Sequence, residues 1–164
     1  MATRKGVNYM RTTREKTPVL YGPNESFPIG GSKTLRSSDK DVAVVIAAGI
    51  TLHEALKAYD ELKKDNLNIR VVDLFSIQPI DAKTLIECSG VCSRRVLTVE
   101  DHYAHGGLGD AVAAALAGEG IAIRKLAIRE IPRSGEPAEL LDYYGISARS
   151  IASVVRELCS GAPR

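Results

Sequence analysis

From Asp41 onward the chain alternates between unbroken apolar runs and stretches with helical spacing. Val42-Ala43-Val44-Val45-Ile46-Ala47-Ala48 is apolar at every position and has the length of a strand. A run without alternation suits a strand covered on both faces, as in a parallel sheet. Behind it, Leu52, Ala55, Leu56, Tyr59 and Leu62 share one helical stripe, and His53, Lys57, Asp60 and Lys64 fall on the other. Thr51-Leu52-His53-Glu54 has the form of a capping box, in which Thr51 and Glu54 would each satisfy the other's amide.

The unit then recurs in kind. Ile69–Leu74 reads as a second strand, and Pro79-Ile80-Asp81 opens a second helix with Asp81 as its N-cap and Ile80 stapled onto Leu85. Arg95–Glu100 is a third strand, the alanine-rich Asp110–Ala117 a third helix, and Ile121–Arg129 a fourth strand. Glu136-Pro137 starts another helix with proline at its permitted first position, and Gly145 ends it. A last amphipathic helix carries Ile151, Val154, Val155 and Leu158. Strand–helix alternation with short connections predicts an α/β fold of three layers, a mostly parallel sheet with helices on both faces. The final two helices are expected to pack back over that sheet.

Before residue 40 the texture differs. Pro18, Pro23, Pro28, Gly22, Gly30 and Gly31 mark a connecting segment, flanked by short strand candidates at Val19–Tyr21 and Lys33–Arg36. The expected division is therefore residues 1–40 and 41–164.

Composition narrows the function classes. Over 164 residues, 45% hydrophobic and 26% charged, the chain suits one soluble domain. Its net charge of +2 and scattered Lys and Arg give no footprint for nucleic acid or an anionic membrane. No apolar run approaches a membrane span, and no signal-peptide core opens the chain, so the cytoplasm is the default. Cys88, Cys92 and Cys159 form no CxxC pair; they read as small, partly buried residues rather than a disulfide framework.

Candidate chemistry gathers in one loop. In open parallel sheets, ligands favour the carboxyl ends of the strands, here the loops Gly49–Thr51, Phe75–Gln78 and Glu100–Gly109, of which the third is the richest. There Glu100, Asp101, His102, His105, Gly106, Gly107 and Gly109 connect a strand to a helix. The glycines could free amides for an anion, although neither GxGxxG nor a P-loop lysine is present. They equally permit a tight turn and close helix–sheet packing. His102-x-x-His105 beside two carboxylates falls short of a zinc set, so no metal is assigned. The alternative is an interface loop, in which a histidine meets a partner domain. With no GxSxG elbow and no activated cysteine, no catalytic residue is assigned.

Three segments, Gly49–Leu56, Leu97–Tyr103 with Gly106–Gly109, and Pro132–Leu141, together resemble the C-terminal domain of animal-type transketolases. Their order and spacing match, as does Ile69–Asp81 between them. The resemblance implies a parent enzyme of the pentose phosphate pathway. That enzyme is a homodimer that moves a two-carbon ketol unit between sugar phosphates with thiamine diphosphate and magnesium or calcium. It further implies that residues 1–40 are the tail of the pyrimidine-binding domain plus linker. Arg14, ending Met10-Arg11-Thr12-Thr13-Arg14, matches the family's substrate-phosphate arginine, a task its planar fork suits. The Gly-Asp-Gly metal–diphosphate motif is absent from the chain. Its expected role is therefore as the rest of the enzyme's partner in assembly, inactive alone and binding no cofactor itself. Deoxyxylulose-phosphate synthase and 2-oxoacid dehydrogenase beta subunits share the architecture, but Pro132–Leu141 argues against both. An independent anion- or nucleotide-binding module is the remaining alternative.

Overall fold

A computed structural model describes residues 5–7, 16–121 and 123–161. Its elements, in chain order, are β1 (Lys33–Arg36), β2 (Asp41–Ala47), α1 (Ile50–Lys64), β3 (Asn68–Asp73), α2 (Ala82–Val91) and β4 (Val96–Tyr103), then α3 (Leu108–Leu116), β5 (Ile123–Ile128), α4 (Pro137–Tyr143) and α5 (Ala148–Ser160). The five strands form one sheet in the order β1-β3-β2-β4-β5. All neighbours are parallel except β1, which runs antiparallel along β3. An edge strand from before Asp41 thus belongs to this sheet.

The central strands explain the layers. Along β2, Ala43, Val45 and Ala47 face one core with Leu52, Ala55 and Leu62 of α1 and Ile151, Ala152 and Val155 of α5. Val44 and Ile46 face the other, with Leu85 and Cys88 of α2 and Leu108, Val112 and Leu116 of α3. Both faces of the strand are dry, as its unbroken apolar run requires. Cys88 and Cys92 are free and buried, and burial pushes the Cys92 thiol up to about 12, which keeps it protonated and inert.

The predicted caps divide. The Asp81 side chain accepts from the Thr84 amide at 3.2 Å, and Ile80 packs into the cluster that holds Leu85. Pro137 occupies the first turn of α4, and Gly145 follows that helix at φ 68°. The Thr51–Glu54 capping box does not form. The residue before α1 is Gly49, which contributes no side-chain cap. Thr51, fully buried, places its hydroxyl 2.9 Å from the carbonyls of both Ala48 and Val99. Glu54, also buried, accepts from the Ala148 amide at 2.8 Å and pairs with Lys57 at 2.6 Å. Its carboxylate caps the start of α5 rather than its own helix, because tertiary packing brought it a nearer donor.

Val19–Tyr21 is not a strand. Residues 19–32 run as an irregular strap whose prolines preclude regular pairing. The strap is tied down by side chains instead: Tyr21 donates to Asp73 at 2.5 Å, Ser32 to Asp81 at 2.9 Å, and the Gly30 amide to Ser76 at 2.8 Å. Phe27 stacks edge-on between Tyr21 and Phe75.

The strap carries a pH dependence. Burial first, then the Asp73 hydrogen bond and charge, hold the Tyr21 phenol well above its ordinary value of 10.0. A pKa raised on folding contributes stability that is complete below the ordinary tyrosine range and is lost as pH rises through the raised value. Tyr21→Phe is expected to cost about 1 to 3 kcal/mol at neutral pH, since buried Asp73 loses its donor. It should also flatten the alkaline loss of stability. Urea denaturation of both proteins at neutral and alkaline pH checks this; coincident curves would mean the strap is not anchored here.

Candidate functional site

β4 runs further than its sequence pattern predicts. Tyr103 pairs with Ile128, and the Ala104 amide donates to the Ile128 carbonyl at 3.0 Å, so only Ala104–Gly107 is left as the connection to α3. Between the Val99–Leu126 and Tyr103–Ile128 pairs the register slips. The slip places Glu100, Asp101 and His102 at the irregularity, where bulges commonly re-aim side chains.

Glu100 is 4% exposed. Its Oε1 accepts from the amide of Gly109, the second residue of α3, at 2.9 Å. A strand carboxylate thus does the work of an N-cap, against the positive end of the helix dipole. Only glycine permits so close an approach: a Cβ at Gly107 would lie 1.9 Å from Glu100 Oε2, and one at Gly109 would lie 2.8 Å from Oε1. Gly106 turns the chain at φ 76°.

A second layer supports the loop. Asp110 accepts from the Gly106 amide at 2.6 Å and from Lys125 Nζ at 2.5 Å, and Lys125 also donates to the Ala104 carbonyl at 2.6 Å. The Lys125 and Gly106 hydrogen bonds hold the Asp110 carboxyl below its usual range. Lys125, on β5, thereby ties the loop to the edge of the sheet. Two buried atoms have no hydrogen-bond partner among the described residues, Thr98 Oγ1 and Glu100 Oε2.

Beside the loop opens a cleft of about 300 Å³, lined by Ala48, Ile77, Glu100, Asp101, His102, Gly106, Gly107 and Leu108. It lies beyond the carboxyl ends of the strands, where the sequence places the candidate chemistry. Asp101 and His102 are exposed at its rim, and His102 Nδ1 sits 2.9 Å from the Tyr103 carbonyl. His105 is exposed and outside the lining, and Gly109 lies beneath Glu100. Sequence reasoning did not single out Asp110 or Lys125, whereas the cleft-lining Ile77 falls in the candidate loop Phe75–Gln78. A lysine within the otherwise largely apolar β5 was the one available signal. Arg14 lies outside the described residues. Among them, no group of three or more His, Cys, Asp or Glu side chains is placed to hold a metal, and no helix is long and apolar enough to cross a membrane.

The family profile described as "Transketolase, C-terminal domain" matches residues 31–151. Transketolase-like protein 2 of Mus musculus is 50% identical over 95% of this chain and 25% of its own length. Transketolase of Homo sapiens is 46% identical over 98% of this chain and 26% of its own. This chain thus spans about a quarter of the length of the curated relatives it matches. A solved structure described as "Split gene transketolase, inactive beta4 tetramer" superposes with a TM-score of 0.80 at 33% identity, over 87% of this chain and 46% of that one. Transketolase from Campylobacter jejuni, at 17% identity and a TM-score of 0.60, over 84% of this chain and 20% of that one, shares the fold.

Proposed function

The chain belongs to the transketolase C-terminal domain family, and on that footing we propose that it is the C-terminal portion of a transketolase and acts there as an assembly domain. The observation that carries this reading is identity near one half along almost the whole chain to proteins four times its length. In the complete enzyme, a homodimer of the cytoplasm, thiamine diphosphate and a divalent cation would supply the chemistry that moves a two-carbon ketol unit between sugar phosphates. Residues 1–40 would be the tail of the pyrimidine-binding domain and linker, with Arg14 on the substrate phosphate, and residues 41–164 the C-terminal domain, to whose sheet the end of the linker lends β1.

The residues of the cleft do not fit the diphosphate. Glu100 already occupies the Gly109 amide, Asp110 occupies the Gly106 amide, and Asp101 stands at the rim. A diphosphate would meet carboxylates where it needs donors. The same geometry weighs against an independent anion- or nucleotide-binding module. Exposed apolar side chains speak for docking instead: Ile77 and Tyr103 beside the cleft, and Phe27 and Ile29 on the strap, are each 40% exposed or more.

Mixing this chain with a second chain that carries the remaining domains of a transketolase tests the reading. The two are expected to copurify in equal amounts and to transfer ketol units together, with neither active alone. Failure to associate at micromolar concentration would contradict it.

A further inference from the structure

We propose that the outer edge of β5 receives an extended, acidic segment of another polypeptide, which adds a strand to the sheet. The chemistry of that edge does not depend on which parent enzyme the chain belongs to.

The first ground is the main chain. β5 ends the sheet beside β4, and no strand lies beyond it among the described residues. The Ile128 carbonyl points inward, accepting from the Ala104 amide at 3.0 Å. Alternation along the strand then turns the amides and carbonyls of Ile123, Lys125 and Ala127 outward. The Lys125 carbonyl agrees with that direction, since it accepts from the exposed Arg129 at 3.4 Å, a long bond. Among the described residues no other hydrogen bond covers this edge. The second ground is space. A trough of about 560 Å³ is lined by Ile123, Arg124, Lys125 and Leu126 in succession. Consecutive strand residues point to opposite faces, so a hollow that touches all four runs along the edge. Val154 and Glu157 of α5 wall it, and a smaller hollow of about 260 Å³ continues it past Ala127 to Tyr143 and Tyr144. Together they follow β5 from Ile123 to Ala127, about 17 Å at the rise of a strand.

The third ground is charge. Arg124, Lys125 and Arg129 line the trough against Glu157 alone. Lys125 is held by Asp110 at 2.5 Å. Arg124 meets Glu157 at 3.3 Å, but both side chains are more than a third exposed, and a pair so screened contributes little. Arg129 is exposed and has no carboxylate partner among the described residues. In the continuation the one further charge is Glu130, which accepts from Tyr143 at 3.4 Å. An incoming strand with carboxylates gains pairing with Arg129 and Arg124 while its main chain bonds to the outward amides and carbonyls. A second copy of β5 would instead bring the same three basic side chains against their like. The occupant is therefore an acidic strand rather than a second copy of this one.

The test is a titration of the full 164-residue chain, followed by amide NMR, with a blocked peptide of alternating glutamate and valine. Two comparison peptides separate the causes. One carries lysine in place of glutamate, and the other keeps glutamate but has methylated amides along one edge, so that it cannot pair as a strand. Saturable shifts confined to Ile123–Arg129 and the facing turns of α5, with slowed exchange of the Lys125 and Ala127 amides, are expected with the first peptide alone. Arg129→Gln leaves the main-chain edge intact and should weaken binding by about fivefold. Equal affinity for the methylated peptide would reduce the edge to a patch of charge. Equal affinity for the lysine peptide, an unchanged affinity in the variant, or no saturable shift at millimolar peptide would likewise overturn the proposal. If the acidic peptide binds while the chain fails to associate with the rest of a transketolase, the docking edge stands and the assembly reading falls.

Discussion

Replacing Ile151 by alanine is expected to lower the unfolding free energy by about 2 to 5 kcal/mol. Ile151 is fully buried in the first turn of α5, in the cluster that joins that helix to α1 and to the inner face of β2. Removing three of its carbons there opens a cavity between two helices and a sheet, and the surrounding rigid elements can close it only in part. Ser153, exposed on the opposite side of α5, provides the comparison. Ser153→Ala should stay within about 0.5 kcal/mol of the parent. Urea midpoints read both. A loss at Ile151 no larger than at Ser153 would mean that α5 is not docked.

Gly109→Ala should cost about 1 to 3 kcal/mol, although alanine is the better helix former by roughly 1 kcal/mol. Gly109 is inside α3, and a Cβ there would meet Glu100 Oε1 at 2.8 Å and Lys125 Cδ and Thr98 Oγ1 at 2.9 Å. Those atoms belong to the buried hydrogen-bonded layer of the loop, so accommodating the methyl means moving Glu100 off the Gly109 amide. Gly90 reverses the sign. It sits in α2, exposed, with nothing within 4 Å of a Cβ. Gly90→Ala should stabilise by about 0.5 to 1 kcal/mol. Thermal or urea denaturation of the pair distinguishes close packing at Gly109 from plain helix propensity, which predicts that both substitutions stabilise.

Local signals carried much of the fold. The unbroken apolar run of β2 foretold a strand covered twice, and the stripe Ile151, Val154, Val155 and Leu158 foretold the helix that covers one face. Asp81 and Pro137 mark helix starts because their effects act within a single turn. Reading failed where a side chain found its partner far along the chain. Thr51 and Glu54 have capping-box spacing, but besides their near neighbours Ala48 and Lys57 they bond to Val99 and Ala148, 48 and 94 residues away, and not to each other's amides. Local spacing records what a side chain can reach in its own turn, not what the folded chain brings closer. The site shows the same limit. Its glycines and Glu100 were visible as a loop, while the Asp110–Lys125 tie and the bond from Tyr21 to Asp73 join segments that no periodicity relates. β4 outran its apolar pattern because pairing with β5 holds Tyr103 in the strand after the side chains turn polar.

The central claim is that this chain is an assembly domain without the cofactor site of its parent enzyme. Calorimetric titration of the full chain with thiamine diphosphate and magnesium tests it most directly. No saturable heat is expected, because the glycine-loop amides are taken by the protein's own carboxylates and no Gly-Asp-Gly motif is present. Saturable uptake at micromolar cofactor would contradict the account.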